Sequence, residues 1–329
     1  MDISTDITPF ATEESDASSP RLDLECAWPS VIDAATCEAS VGFALDPAMH
    51  ELLSERLARP LRGLIDRGGK RWRMILGALA HGACRGTRPL TDPAFAAIEL
   101  LHTASLVIDD IQDESEERRN GPAVHTLYGV PTALGAANTA YFRAFGLLAH
   151  LPDEQRLRAY DVFLQELHAA HVGQSIDLLE DPDLARHDSN TLRNRYYAMA
   201  GAKSGALVRM AGSLGAILAD APLAWEETLR NWGTHLGIAY QIVDDIDDLD
   251  DDTAGKDRRL SFPIVAGADL EIPLAHRTPE ADSLLLARCH AAARDEANLA
   301  CEALLALPNS PYRESLVRLT HALTQTEES

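Results

Sequence analysis

Apolar side chains recur three or four positions apart along most of the chain, and this period is typical of helices with one buried face. The pattern begins near Ala48 and is regular at Ile98, Leu101, Ala104 and Ile108. No stretch shows the sustained alternation of β-branched residues that predicts a strand. Glycine and proline fall mainly between the periodic segments, as they do at helix ends. The pattern therefore predicts an all-α protein.

The N-terminal part of the chain lacks this pattern. It begins with residues rich in Asp, Glu, Ser and Thr, and we expect residues 1–45 to form an acidic, disordered tail. The start has neither the basic residues nor the apolar core of a signal or transit peptide. The rest of the chain has no internal repeat and no linker-like stretch, so we expect residues 46–329 to form a single domain. No run of about 18 apolar residues occurs, so no transmembrane helix is predicted.

Charge and cysteine content exclude several classes of function. The chain has 29 basic and 51 acidic residues among 329, which gives a net charge of −22. Such an acidic protein is a poor ligand for nucleic acid, whose phosphates bind clustered Lys and Arg. The five cysteines are scattered, without the spacing of a metal site or of a disulfide framework. We therefore expect a cytoplasmic protein in a reducing compartment.

One apolar helix is predicted to end in three acids, Asp109, Asp110 and Asp113. Residues three and four apart share a helix face, so the three carboxylates can converge, with His102 and Ser105 on the same face. Like charges at this spacing destabilise a helix by about 0.2–0.5 kcal/mol per pair, and a bound cation would offset that cost. Mg²⁺, which prefers oxygen ligands, is such a cation. For this cluster alone, a solvated acidic helix end is an equally good interpretation.

A second acidic cluster has the same spacing. Asp244, Asp245 and Asp248 follow another apolar run, and two equal clusters indicate two facing walls of one metal site. A calcium-binding loop is the competing interpretation of the second cluster. It fails because Thr253 stands where such a loop needs glycine, and Arg259 stands where it needs Glu.

Basic residues near the clusters provide ligands for phosphate groups, for which protein-bound Mg²⁺ usually keeps positions open. Arg suits bidentate phosphate recognition, and Lys acts as a point charge. These basic residues are Lys70, Arg71, Arg73, Arg118, Arg119, Lys203, Lys256, Arg258 and Arg259. For any single one of them, a surface ion pair with an aspartate is the alternative interpretation.

Together these motifs resemble the trans-isoprenyl diphosphate synthases (polyprenyl synthetases), and the resemblance runs over about residues 50–320. The matching fragments are Gly69–Arg73, Leu101–Ser105, Asp109–Asp113 with Arg118 and Arg119, Gly173–Asp177, Lys203–Ser204, Gln241 with Asp244–Asp248, and Ser261–Pro263. Residues 118–142 look most like geranylgeranyl diphosphate synthases. The chain departs from the family where Asn120 replaces a common Gly and Arg259 replaces a Lys, and the segment between the second cluster and Pro263 is short.

The resemblance implies a helical bundle around a deep central cavity, usually a homodimer, that joins isopentenyl diphosphate to an allylic diphosphate. It implies that Mg²⁺ ions, about three per active site, bind the allylic diphosphate through Asp109, Asp110, Asp113, Asp244, Asp245 and Asp248. It implies further catalytic roles for Arg118, Lys203 and Gln241. Isopentenyl diphosphate would contact Lys70, Arg73, His102 and Arg119. The allylic diphosphate would contact Arg118, Lys203 and Lys256.

Product length should depend on what fills the cavity beneath the first cluster. Ala104 and Ser105 are small, so we expect geranylgeranyl diphosphate (C20). Farnesyl diphosphate and longer chains are alternatives, because Tyr141 and Phe142 could form a floor. A terpene cyclase and a non-catalytic partner subunit are the alternative functions. The second Asp-rich cluster argues against the cyclase, and the presence of all six aspartates argues against the partner subunit. Tyr196 is expected in the core.

Overall fold

The computed structural model describes residues 27–28, 41–89, 91–247, 259–272 and 278–324. The helices, in chain order, are α1 (Pro47–Leu53), α2 (Arg59–Asp66), α3 (Trp72–Ala83), α4 (Pro93–Gln112), α5 (Val124–Tyr128), α6 (Val130–Gly146), α7 (Asp153–Asp177), α8 (Ser189–Leu218), α9 (Leu223–Asp247), α10 (Phe262–Asp269), α11 (Pro279–Leu304) and α12 (Pro311–Thr324). A π-helical turn, Ser54–Ala58, joins α1 to α2, and a 3₁₀ turn, Leu184–Arg186, precedes α8. Within these ranges, β-structure is limited to one isolated bridge, so the prediction of an all-α protein is confirmed. None of the helices described is both long and apolar enough to cross a membrane.

Four of the helices begin at a side chain that caps the first turn. The cap oxygen accepts a hydrogen bond from a backbone N–H that the helix itself leaves unpaired. The capping residues are Asp46 for α1, Asp92 for α4, Asp188 for α8 and Thr278 for α11. In α1, α4 and α11 a proline follows the cap, where its missing N–H costs nothing.

The described residues form two compact units. The first unit contains Arg88–Leu157 and the described residues before Leu76. In this unit α4 packs against α6. The face of α6 that is buried consists of small side chains, Ala133, Ala136, Ala137, Ala140 and Ala144. Small side chains let helix axes approach closely, and in α4 the larger side chains of Phe95 and Ile98 are fully buried.

Part of the predicted tail belongs to the first unit. Trp28 is 3% exposed, and its indole Nε1 donates a hydrogen bond to the carbonyl oxygen of Ala58 at 3.0 Å. Ala27 is buried as well. A buried indole usually has such a partner for its N–H. That residues 1–45 form a disordered tail stays a prediction. The other residues of the tail before Val41 lie outside the described part of the chain.

The second unit contains Leu76–Thr87 and the described residues from Arg158 onward. Its central helix is α9, which packs against α8 and α11. Tyr196 is fully buried in this unit, as predicted. That residues 46–329 form a single domain stays a prediction.

Glycines inside helices determine how closely the helices of the second unit approach one another. A Cβ on Gly237 of α9 would overlap the backbone of Gly205 in α8, and a Cβ on Gly173 of α7 would overlap the backbone of Lys203. The helices can therefore cross in backbone contact only because these positions lack side chains. The expectation that glycine falls between helices is wrong here. The crossings place Lys203 next to the end of α7.

Candidate functional site

The first acidic cluster lies at the C-terminal end of α4. Asp109 and Asp110 occupy its last turn, and Asp113 is the residue that caps the helix, with its N–H bonded to the Asp109 carbonyl at 2.9 Å. The three carboxylates differ in burial. Asp110 is fully buried, Asp109 is half-buried and Asp113 is exposed.

Arg118 binds two of these carboxylates. Its Nε donates to Asp110 Oδ1 at 2.6 Å, and its Nη2 lies 3.4 Å from Asp109 Oδ2. Burial alone would lower the pKa of Arg118, but the ion pair with Asp110 outweighs burial and raises the pKa above its usual value. The second oxygen of Asp110, Oδ2, is buried and has no hydrogen-bond partner among the described residues.

A tight turn orients Arg118 and Arg119. The N–H of Arg118 bonds to the Gly121 carbonyl at 2.7 Å, and both Arg119 and Asn120 have positive φ, of 53° and 56°. Asparagine tolerates this left-handed conformation better than most residues, which explains why it can stand where the family commonly has Gly. Arg67 holds the turn from outside by donating to the Arg118 carbonyl at 3.1 Å. The sequence analysis did not single out Arg67.

Three of the predicted diphosphate ligands lie close together: His102 on α4, and Arg73 and Arg119 next to it. Arg73 Nη1 lies 3.0 Å from His102 Nε2. Burial and the neighbouring Arg73 and Arg119 hold the pKa of His102 well below its usual value, so its imidazole is neutral. Because a guanidinium can only donate, Nε2 of His102 must accept, and its proton is assigned to Nδ1. Lys70 lies in the loop before α3 and is exposed.

Glu99 connects these cations, and sequence reasoning missed it. It is 1% exposed in α4, and its Oε1 lies 3.5 Å from Arg119 Nη2. Burial raises the pKa of Glu99, although Arg119, Arg73 and Arg71 oppose the shift. Its sequence signal is weak, since it is a single acid within an apolar helix, three positions before His102.

In the second unit, Lys203 is paired with an acid that the sequence analysis gave no role. Lys203 Nζ lies 2.5 Å from Asp177 Oδ2, and both side chains are mostly buried. Asp177 ends α7 within the fragment Gly173–Asp177 that contributed to the resemblance. The charge of Lys203 is therefore held at a fixed position between α7 and α8.

Gln241 and Asp245 are joined in a hydrogen-bond chain. Ser204 Oγ donates to Gln241 Oε1, and Gln241 Nε2 donates to Asp245 Oδ1 at 2.9 Å. The backbone N–H of Phe262, the first residue of α10, donates to Asp245 Oδ2 at 2.8 Å. Burial, only partly offset by these hydrogen bonds, raises the pKa of Asp245 to about 7. The buried hydroxyl of Tyr196 lies beside this carboxylate, whose charge helps to raise the pKa of Tyr196.

The rest of the second cluster is only partly described. Asp244 is exposed on the last turn of α9. The predicted ligands Asp248 and Lys256, and also Arg258, lie outside the described residues, and Arg259 is half-buried at the start of the next described segment.

The carboxylates of the described aspartates suit Mg²⁺ that binds together with a phosphate ligand. In the part of the chain that the structure describes, no three His, Cys, Asp or Glu side chains form a ready-made metal cage. Mg²⁺ usually takes one or two carboxylates and completes its shell with water and substrate phosphates. Half-buried or exposed carboxylates beside fixed guanidinium and ammonium groups fit that requirement.

Comparisons with known proteins give a consistent set of matches. A family model described as polyprenyl synthetase matches residues 54–270, which include both acidic clusters. A geranylgeranyl diphosphate synthase of Sulfolobus acidocaldarius is 38% identical over 188 residues, 56% of this chain and 55% of that protein. This chain thus spans about half the length of that relative.

Two further matches extend over most of both chains. An all-trans-nonaprenyl-diphosphate synthase (geranyl-diphosphate specific) of Rhodobacter capsulatus is 32% identical over 308 residues, 84% of this chain and 92% of that protein. The solved structure of a geranylgeranyl pyrophosphate synthetase from the archaeon Geoglobus acetivorans superposes with a TM-score of 0.73 and 29% identity, over 85% of this chain and 96% of that chain.

Proposed function

Because the chain belongs to the polyprenyl synthetase family, we propose that it is a trans-prenyltransferase that joins isopentenyl diphosphate to an allylic diphosphate. The observation that carries this proposal is the grouping at α4. Arg118 contacts Asp109 and Asp110 there, and Arg73 contacts a neutral His102. Fixed guanidinium groups beside half-buried carboxylates are what a metal-bound diphosphate requires.

Isopentenyl diphosphate binds, in this proposal, to the cations next to Glu99. Arg73 and Arg119 supply guanidinium groups that can each hold two phosphate oxygens, and exposed Lys70 adds a mobile point charge. The Nδ1–H of neutral His102 donates a further hydrogen bond. Glu99 Oε1 lies 3.5 Å from Arg119 Nη2, and this contact holds the Arg119 guanidinium in place without the ligand.

The allylic diphosphate binds to the other cations and to the aspartates. Arg118, which is held by Asp109 and Asp110, and Lys203, which is held by Asp177, contact its phosphates together with Lys256. The candidate ligands for three Mg²⁺ ions are the six predicted aspartates. Among the described ones, Asp113 and Asp244 are exposed, Asp109 and Asp245 are half-buried, and Asp110 is buried.

The reaction breaks one bond and forms another. The C–O bond between the allylic carbon and its diphosphate breaks, and the electron pair leaves with the diphosphate. The double bond of isopentenyl diphosphate attacks the allylic carbon, and loss of a proton restores an alkene. Arg118 and Lys203 stabilise the charge that develops on the leaving group, which is electrostatic catalysis by preorganised groups. Mg²⁺, when bound, neutralises further charge on that group.

We propose a C20 product, geranylgeranyl diphosphate. Ala104 is fully buried and Ser105 is half-buried, so the positions five and four residues before Asp109 carry small side chains that leave room for a growing chain. Of the two candidate floor residues, Phe142 is 79% exposed, which leaves half-buried Tyr141 as the candidate within this chain. Farnesyl diphosphate and longer chains stay open, since the relatives include a nonaprenyl-diphosphate synthase.

We also propose a cytoplasmic homodimer. The support for the dimer is a set of exposed apolar side chains on α5 and α6, which includes Leu127, Val130 and Phe142. Exposed apolar side chains on a protein of net charge −22 are candidates for a contact between copies.

The proposal is tested by incubating the purified protein with isopentenyl diphosphate and with C5, C10 or C15 allylic diphosphates, with and without Mg²⁺. We expect a C20 diphosphate, measured by mass, that forms only with the metal. A longer or shorter diphosphate would correct the chain length alone. Cyclised hydrocarbon from an allylic diphosphate without isopentenyl diphosphate, or no product from any combination, would contradict the proposed activity.

A further inference from the structure

Two short segments of the first unit each carry an arginine that reaches the other segment. One segment follows α2 and contains Arg67, and the other follows α4 and contains Arg119. Arg67 Nη1 donates to the carbonyl oxygens of Arg118, at 3.1 Å, and of Pro122, at 2.6 Å. In the opposite direction, Arg119 Nη1 donates to the carbonyl oxygen of Leu64, in the last turn of α2, at 3.2 Å. The two segments are therefore joined by one arginine in each direction.

Each of these arginines packs against a glycine of the other segment. A Cβ on Gly121 would lie 3.0 Å from Arg67 Cζ, and a Cβ on Gly69 would lie 2.9 Å from Arg119 Cζ. Both distances are shorter than ordinary contacts of a side chain, so each guanidinium lies against backbone that only glycine leaves open. The guanidinium groups of Arg67 and Arg119 are therefore held by close packing as well as by hydrogen bonds.

The end of α2 determines where the side chain of Arg67 begins. Arg67 is the C-cap residue of this helix, and Gly68 after it has φ of 86°, the left-handed conformation that commonly ends a helix. The N–H of Gly68 bonds to the Ile65 carbonyl at 3.1 Å. Because the backbone on both sides of Arg67 is fixed in this way, its side chain leaves α2 from a defined point.

The turn that Arg67 contacts needs support from outside. Arg119 and Asn120 both have positive φ, and two such residues in succession are typical of tight turns built from Gly, Asn or Asp. Asn120 tolerates this conformation, but Arg119 adopts it at a cost in conformational energy. A strained conformation persists only where the surrounding structure fixes it. Arg67 supplies two such contacts, at the carbonyls of Arg118 and Pro122, on either side of the strained residues.

We propose that Arg67 is a positioning residue for both diphosphates, neither of which it contacts itself. It holds the turn that carries Arg118 and Arg119, so that one guanidinium faces the allylic diphosphate and the other faces isopentenyl diphosphate. The inference rests on the proposed function, in which these two arginines bind different substrates. Because a single turn carries both arginines, a loosened turn weakens the binding of both substrates together. This joint effect separates positioning from a direct contact with one diphosphate.

The variant Arg67→Ala removes the contact with the turn and leaves Arg118 and Arg119 in the chain. We expect KM for isopentenyl diphosphate and KM for the allylic diphosphate each to rise roughly tenfold, the effect of losing one charge-assisted hydrogen bond. A readout without turnover is the dissociation constant of isopentenyl diphosphate in the absence of metal, measured by calorimetry. It should rise by the same factor as KM for that substrate.

The matched control is Arg62→Ala, in the same helix and with the same chemical change. Arg62 is half-buried, as Arg67 is, and it also donates to a backbone carbonyl, that of Trp28, at 3.1 Å. Its second bond is to Asp66 Oδ1, at 2.8 Å. Both partners lie outside the turn. We therefore expect Arg62→Ala to lower the melting temperature and to leave both KM values unchanged.

The variant Gly121→Ala displaces the Arg67 guanidinium without removing it. Gly121 is not in the left-handed conformation, so alanine suits its backbone, but the new Cβ would lie 3.0 Å from Arg67 Cζ. We expect both KM values to rise, by less than in Arg67→Ala. In the double variant with Arg67→Ala no guanidinium is left to displace, so Gly121→Ala should add nothing. Additive effects of the two changes would contradict the contact through which Arg67 is proposed to act.

Two further outcomes overturn the proposal. If only one KM rises in Arg67→Ala, Arg67 binds that diphosphate directly. If both KM values stay unchanged in Arg67→Ala, or rise equally in Arg62→Ala, the role of Arg67 is purely structural. Failure of the proposed function is distinct from these outcomes, since the unmodified protein would then bind no isopentenyl diphosphate and form no prenyl product.

Discussion

Asp109 and Asp110 are neighbours in the sequence but have different surroundings. The side chain of Asp109 is 27% exposed and only distantly paired with Arg118, whereas that of Asp110 is fully buried against the same guanidinium. A carboxylate that binds an incoming metal ion needs an accessible lone pair, as Asp109 has. A carboxylate that is buried against an arginine, as Asp110 is, is occupied by that arginine. The first carboxylate is suited to catalysis, and the second is suited to holding Arg118 in place.

This difference predicts that alanine has different effects on stability at the two positions. We expect Asp109→Ala to lower kcat by about two to four orders of magnitude with an unchanged melting temperature, because a half-exposed ligand adds little to stability. Asp110→Ala should also lower the free energy of unfolding, by about 1–3 kcal/mol, because it removes a buried charge-assisted hydrogen bond to Arg118. Steady-state kinetics and urea unfolding measure both. Near-normal kcat in Asp109→Ala would remove Asp109 from the metal site.

Glu99 predicts a pH dependence of stability. Its pKa is raised in the folded protein by burial, so the folded state binds a proton more tightly than the unfolded chain does. The contribution of Glu99 to stability is therefore fully present below its unfolded pKa and is lost as the pH rises through the folded pKa. The Glu99→Gln variant lacks this titration.

Urea unfolding of both proteins at several pH values measures the effect of Glu99. We expect the unmodified protein to lose stability relative to Glu99→Gln as the pH rises above the usual pKa of a glutamate side chain. The comparison is the difference between the two free energies of unfolding at each pH. A difference that is constant with pH would mean that Glu99 keeps its ordinary pKa in the folded protein.

At the scale of single residues, the sequence could predict the clusters of aspartates but not the ion-pair partners of individual Arg and Lys residues. The aspartates were found because their spacing repeats and places several carboxylates on one helix face. Glu99 and Asp177 contribute as much to the arrangement of charge, but each is one acid whose partner is distant in sequence. Spacing holds no information about such pairs, since they depend on how separate helices meet.

At the scale of helices, the crossing of α8 and α9 depends on Gly237. A Cβ there would overlap the Gly205 backbone, so the helices must separate to accept it. We expect Gly237→Ala to lower the free energy of unfolding by about 1–3 kcal/mol, as overpacking usually does. The control is Gly63→Ala in α2, where a Cβ meets nothing within 4 Å and should stabilise the helix by about 0.5–1 kcal/mol. If Gly237→Ala and Gly63→Ala change the free energy of unfolding in urea by the same amount, α8 and α9 do not cross in backbone contact at Gly237.

The helix α4 makes a prediction about product length. Ser105 lies one turn before Asp109 and is half-buried, so a large side chain there would occupy the space that a growing chain needs. We expect Ser105→Phe to shift the product to shorter diphosphates, with Ser105→Ala as a control that leaves it unchanged. Mass spectrometry of the products measures the shift. An unaltered product in Ser105→Phe would place the growing chain elsewhere.

Helix periodicity predicted the all-α class of the fold, but it could not predict how the helices cross. The period reports which face is buried. The crossing depends on positions where a side chain is missing, and Gly205 and Gly237 interrupt the apolar pattern without ending a helix. From local preference alone, a glycine inside a helix predicts a break in that helix. At these positions the glycine is explained instead by the backbone of another helix, which lies where a side chain would be.

At the scale of the whole molecule, the proposed homodimer predicts a salt-dependent assembly. Val130 and Phe142 of α6 are both exposed, and Phe142 is 79% exposed. Burial of such a side chain favours association by roughly 1.5–3 kcal/mol. Two copies of a chain with net charge −22 repel each other, and salt screens that repulsion over about 10 Å at 0.1 M.

We therefore expect a dimer whose dissociation constant falls as salt is added, measured by sedimentation or by light scattering after size exclusion. The variant Phe142→Glu adds charge and removes the apolar contact, so it should be monomeric at concentrations where the unmodified protein is dimeric. Leu157→Glu, a change at an exposed leucine outside α5 and α6, is the matched control for added charge. If Phe142→Glu and Leu157→Glu both dissociate to the same extent, charge alone controls assembly. If the unmodified protein is monomeric, the proposal of a homodimer is wrong.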